Sequence, residues 1–163
     1  IMDVLKWSAD ADGDRRRFMA AQVLLWLLDS TDGHAKNYSV FLEAKDRFRL
    51  TPLYDILSAA PLAATGELSS RRLKLAMGLI GKNRHYRTAD IEPRRFLSTA
   101  AAVDYPKAEM LAVLNHFARL TPEVVAKVRN KLPSGFPETT ASPIFEVLQK
   151  RAGKIATFLQ TQT

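Results

Sequence analysis

The sequence contains no cysteine. A disulfide framework, a thiolate zinc site and a cysteine nucleophile are therefore excluded. Glycine is sparse, with seven residues, and none builds a phosphate-cradling loop. The nearest candidate, Gly78-Leu79-Ile80-Gly81, lacks the strand–loop–helix setting and the Lys-Ser/Thr ending that such loops need. Long apolar runs are missing too. The longest, near Val23–Leu28, is far too short to span a bilayer. The opening residues carry Asp3, Lys6, Asp10, Asp12 and Asp14 rather than a basic end followed by an apolar core, so no signal peptide is expected. Acidic charge is in deficit: 17 Asp plus Glu face 24 Lys plus Arg, a formal charge of +7. That excess favours anionic partners such as nucleotides, nucleic acid or acidic protein surfaces, without choosing among them.

What is present suits one ordinary globular domain. The chain has 163 residues, 47% of them hydrophobic and 25% charged, which excludes disorder and low-complexity repeats. Residues 8–14 are small and acidic. Asp10, Asp12 and Asp14 around Gly13 resemble a calcium loop in composition only. Counted from Asp10, the twelfth position is Ala21, where that loop requires Glu. These acids instead predict capping of a following helix. Residues 14–28 are apolar almost all round, which predicts a buried helix ending at Asp29-Ser30-Thr31-Asp32-Gly33.

Beyond it, Tyr38–Leu42 and Phe48–Leu50 predict a short hairpin, closed by Pro52. Residues 60–70 read as a loop. Leu73, Leu75 and Met77 alternate with polar residues and predict a strand, with His85-Tyr86-Arg87 returning antiparallel, although Leu75–Ile80 also suits a helix. From Asp90 the pattern is helical: Pro93–Ala102 after an Asp90 cap, Pro106–Leu120, Thr121–Lys131, and Ser142 to about Gln160. The expected class is mainly α, an α+β domain with one or two small hairpins.

The informative stretch is Asp32-Gly33-His34-Ala35-Lys36-Asn37, with Asp55 beyond the hairpin. Phosphoryl transfer needs a carboxylate to accept or orient a hydroxyl proton, and oxygen ligands to hold magnesium against phosphates. Protein kinases meet this with D-x-x-x-x-N, a hairpin and a second Asp. Asp32 to Asn37 has that spacing. Asn37 offers a neutral oxygen and Asp55 an anionic one, both suited to a hard cation. A hairpin between them returns Asp55 beside the loop. Plainer roles exist for each residue. Asp32 before Gly33 suits a turn, Asn37 can open the strand, and Asp55 can cap a helix starting near Ile56. His34 can serve as a hydrogen-bonding loop residue and Lys36 as a solvated charge. Tyr38, Tyr54 and Trp26 read as packing residues. Metal-dependent hydrolysis by Asp32, His34 and Asp55 lacks the ligands that a dinuclear site needs.

The departures from the protein-kinase pattern point elsewhere. Ser30-Thr31 stands before the Asp, and Asp55-Ile56-Leu57 replaces Asp-Phe-Gly. Leu28-Asp29-Ser30-Thr31-Asp32-Gly33-His34-Ala35-Lys36-Asn37-Tyr38-Ser39 resembles the catalytic loop of HipA-type serine/threonine kinase toxins, and Leu50–Ala59 resembles their metal-binding segment. Leu73–Leu79, Phe96–Ala100, Phe117-Ala118-Arg119 and Leu132–Glu138 continue the similarity across essentially the whole chain.

The resemblance implies a kinase-like helical C-terminal lobe spanning residues 1–163, from a bacterial, cytoplasmic type II toxin–antitoxin system. It implies ATP and Mg2+ as cofactors and a protein serine as acceptor, best known on an aminoacyl-tRNA synthetase. It implies a HipB-type helix-turn-helix antitoxin as partner, with operator DNA reached through that antitoxin, and no membrane. By position, Asp32 would be the catalytic base, Asn37 and Asp55 the metal ligands, and His34 and Lys36 the residues facing the phosphates. The family's N-terminal lobe, with its phosphate-covering loop and ATP-pairing lysine, is expected to lie outside this chain, which alone is then expected to transfer little phosphate. The alternative is a non-catalytic module that binds the antitoxin or its DNA complex. The basic cluster of Arg71, Arg72, Lys74, Arg84, His85 and Arg87 offers it a candidate surface.

Overall fold

A computed structural model describes residues 1–162. It is mainly helical, with two separate two-stranded antiparallel sheets. The helices are α1 (Met2–Leu5), α2 (Ala11–Leu27), α3 (Ala60–Ala64), α4 (Arg94–Ala102), α5 (Lys107–Arg129) and α6 (Glu138–Gln160). Strands β1 (Val40–Glu43) and β2 (Arg47–Leu50) form one hairpin; β3 (Lys74–Ile80) and β4 (Arg84–Arg87) form the other. The expected class is observed. No described helix is long and apolar enough to cross a membrane.

Helix α2 runs through the middle. The Asp10 carboxylate accepts from the Gly13 amide at 3.3 Å and caps it, so the helix starts within the acidic stretch, earlier than the apolar pattern indicates. Trp26, Leu27, Val23 and Met19 are fully buried, against Phe96 of α4, Met110 and Leu114 of α5, and Ile155 of α6. The Trp26 and Phe96 rings lie 5.5 Å apart and tilted by 57°, a favourable aromatic geometry. The Trp26 indole N–H donates to the Thr88 carbonyl at 3.0 Å.

A buried carboxylate fastens the first hairpin to this helix. Asp14 accepts from the Ser8 hydroxyl, from the Leu50 amide at 2.8 Å and from Arg17 at 2.5 Å. Burial raises its pKa, but these three donors outweigh that and hold the carboxyl below its ordinary value. The hairpin therefore leaves and returns at a fixed place on α2.

Several sequence expectations differ in detail. Residues 60–64 form a helical turn with Pro61 in its first turn, a position proline tolerates. Pro122 and Pro143 lie inside α5 and α6 rather than starting helices. Each removes only one backbone donor, while α5 packs along α6 and their smaller core of Val125, Ala141 and Phe145 spans the region. No helix begins at Ile56. Asp55 instead sits in the left-handed region, with φ of 55°.

Candidate active site

The site begins where α2 stops. Asp29 has φ of 52°. Its amide bonds the Trp26 carbonyl at 3.1 Å, and the Ser30 amide bonds the Leu25 carbonyl at 2.9 Å. This is the Schellman ending, in which the left-handed residue is usually glycine. Here Asp29 takes it and buries its carboxylate against Arg151 of α6, at 2.5 Å. Arg151 also donates to the Trp26 carbonyl and lies over the Trp26 ring, 5.3 Å from its centre. Burial lowers the Arg151 pKa, and Asp29 pulls it back up.

The foot of the loop is held from a second side. The Ser58 hydroxyl donates to the Leu28 carbonyl at 2.6 Å, and the Ala59 amide to the Asp29 carbonyl at 3.2 Å. Residues 51–59 thus run back along the loop and carry Asp55 to it.

Gly33 follows Asp32 and is buried. A Cβ there would lie 2.4 Å from Cδ1 of Leu25, which is itself buried. Only glycine lets the loop approach α2 this closely. Residues Ala35–Asn37 then form a single 3-10 turn. The Asn37 side-chain amide donates to the Asp32 carbonyl at 2.7 Å and to the Asp55 carboxylate at 3.3 Å. Both partners are acceptors, which fixes the NH2 group toward them and leaves Oδ1 for another ligand. His34 Nε2 meets Oδ1 of Asp32, which leaves the other carboxylate oxygen unengaged by that contact.

The structure therefore brings Asp32, His34, Asn37 and Asp55 together. Lys36 is exposed on the same turn and forms no ion pair among the described residues. Tyr54, read from the sequence as packing, is part of the arrangement. Its hydroxyl lies 2.7 Å from Ser39 Oγ and 3.5 Å from the Lys36 carbonyl, and it bridges the two segments. Its place directly before Asp55 was the available signal. Tyr38 is half-buried and hydrogen-bonded by Gln22 at 2.8 Å; burial pushes its phenol up to about 12.

A family model described as the HipA-like C-terminal domain matches residues 1–127. The chain belongs to this family. Among solved structures, a complex of the Shewanella oneidensis MR-1 toxin–antitoxin system, HipA and HipB with operator DNA, contains a chain of similar fold. The likeness has a TM-score of 0.80 at 20% identity and covers 98% of the present chain. The HipA-like domain spans 36% of that longer chain.

Asn37 Oδ1 and the Asp55 carboxylate could offer oxygen ligands to a cation. No group of three or more His, Asp or Glu able to hold a metal occurs among the described residues. One carboxylate and one amide oxygen could serve only a cation that takes one or two protein oxygens and fills its shell from other sources.

Proposed function

We propose that this domain is the catalytic C-terminal lobe of a HipA-type serine/threonine protein kinase, which transfers the ATP γ-phosphoryl group to a protein serine. A translation-related acceptor, such as an aminoacyl-tRNA synthetase, follows from the family resemblance. The observation that carries the reading is the double hydrogen bond of Asn37. It joins the backbone of the proposed base, Asp32, to the proposed metal ligand, Asp55.

In this reading the free oxygen of Asp32 accepts or orients the serine hydroxyl proton. His34 holds the other oxygen, which limits rotation of the carboxylate. Asn37 Oδ1 and Asp55 hold Mg2+, which neutralises phosphate charge when bound. Lys36 is placed to meet phosphate oxygens. The site is an open surface rather than a closed cleft, with Asp32 and Asp55 both exposed. The neighbouring hairpin exposes Phe41 and Leu42, the latter 85% accessible. Apolar exposure of that kind suits cover by another body, and a second lobe closing over the nucleotide meets the need.

The test is calorimetric titration of Mg-ATP into protein carrying both lobes, beside Asp55→Asn and Asp32→Asn. A charge-assisted contact contributes roughly 1.5–3 kcal/mol, so Asp55→Asn should weaken magnesium-dependent binding by about tenfold to a hundredfold. Asp32→Asn should keep binding and lose transfer. Unchanged magnesium-nucleotide binding in Asp55→Asn would sink the assignment.

A second reading is a docking module for a HipB-type antitoxin or its operator DNA. The +7 charge favours it, as does the setting of the related fold in a complex of HipA, HipB and DNA. Steeply salt-dependent DNA binding with no magnesium requirement distinguishes it.

A further inference from the structure

Behind the foot of the loop lies a hollow of about 230 Å3. Its lining includes Arg71, Thr88, Lys150, Arg151 and Lys154, with Asp29 as its one carboxylate. Val147, Lys150, Arg151 and Lys154 fall at the spacing of a single helical stripe, so α6 aims three cations at one place. Lys154 is shared with Glu92 at 3.2 Å, and Arg151 with Asp29. Arg71 and Lys150 have no ion-pair partner among the described residues. With those two pairs made, Arg71 and Lys150 leave an excess of two positive charges at the hollow.

A second observation is independent of that charge. Thr88 lines the hollow and is only 2% exposed, yet its hydroxyl has no hydrogen-bond partner. Its backbone is fully used: the amide bonds the Leu73 carbonyl at 3.0 Å, and the carbonyl accepts from Trp26. A buried hydroxyl without a partner is costly, and an oxyanion seated deep enough in the hollow to reach Thr88 would satisfy it. Ser70 also lines the hollow and supplies a further hydroxyl. Arg151 retains donors beyond the two that hold Trp26 and Asp29.

We propose that this hollow is a binding site for a phosphate-class oxyanion, separate from the Asp32–Asn37–Asp55 site. Planar guanidinium forks, flexible ammonium groups and a neutral hydroxyl donor together match the tetrahedral acceptor set of a phosphate or phosphate monoester. The hollow borders the foot of the loop at Asp29, whose carboxylate Arg151 of α6 holds.

The test is an amide NMR titration of the protein with inorganic phosphate, at fixed pH and with ionic strength held constant by sodium chloride. Saturable shifts are expected at Arg71, Thr88 and Lys150. The double variant Arg71→Gln/Lys150→Gln, both exposed positions, should weaken the affinity at least about tenfold. Thr88→Val separates a ligand role from a structural one. It removes an unpartnered hydroxyl, so a purely structural role predicts equal affinity for phosphate and equal or higher stability. A ligand role predicts several-fold weaker phosphate binding in a folded protein. A parallel arm with O-phosphoserine identifies the source: tighter binding than phosphate means a monoester, and equal binding means the free ion. Absence of saturable shifts, or shifts that survive unchanged in the double variant, overturns the proposal. Because the readout needs neither ATP nor transfer, it stands or falls apart from the kinase reading.

Discussion

The side-chain amide of Asn37 donates to the Asp55 carboxylate across 3.3 Å. The pairing of a neutral donor with a carboxylate is what lets the two proposed cation ligands sit so close without repelling. Asn37→Asp places like charges at that separation, about 1 kcal/mol of repulsion in water-like surroundings. The expected outcome is a modest loss of stability at pH 7. The repulsive part of that loss should shrink at acid pH, where the pair no longer carries two charges, while the lost second donation of the Asn37 amide remains. Urea denaturation at the two pH values checks it.

Gly33→Ala forces the Leu25 side chain to move, because the new Cβ would lie 2.4 Å from Cδ1. Overpacking of this kind costs about 1–3 kcal/mol. The Tm should fall by about 2–4 °C for each kcal/mol lost. Leu25→Ala costs about 2–5 kcal/mol on its own. The double variant should lose less than the sum, since each change relieves the other. Additive losses would mean the two sites do not press on each other.

Asp14 links α2 to the first hairpin, and its pKa is lowered in the fold. A lowered carboxyl contributes stability that is present above the unfolded value of 3.8 and lost as pH falls through the folded value. Asp14→Asn should therefore cost about 1–3 kcal/mol at neutral pH, the cost of poorly satisfied buried donors. The gap between variant and parent should narrow progressively below pH 3.8. Denaturation curves taken from pH 7 downward read this directly.

Arg151 and Asp29 form a buried pair across 2.5 Å. Arg151→Leu leaves the Asp29 carboxylate uncompensated and should cost about 3–5 kcal/mol. Asp29→Gly added to it should recover much of that loss. Glycine removes the stranded charge and accepts the φ of 52° without strain. Thermal unfolding of the two variants decides the point. No recovery in the double variant would show that the Arg151 contact to Trp26, and not the ion pair, holds the loop.

The local parts of the site were legible in the sequence. Asp32, Asn37 and Asp55 are joined by one turn and one hairpin, so spacing alone places them together. The apolar residues of α2 likewise mark its burial. Long-range parts were not. Nothing near Asp29 signals a partner on α6, 122 residues away. Pro122 reads as a helix start, because propensity is local, whereas packing of α5 along α6 carries the helix through it. The turn at Ala60–Ala64 hid in a composition that equally suits a loop.

The distance along the chain between Asp29 and Arg151 also sets an order of events during synthesis. A ribosome adding about 5–20 residues per second needs about 6–24 s to pass from one to the other. For most of that interval, once Asp55 has been added, Asp32, Asn37 and Asp55 are made, but the cation that anchors their loop is not. A nascent chain halted before α6 would carry every proposed reacting group on an unfastened loop. Fastening of the loop would then arrive with the closing helix, late and all at once.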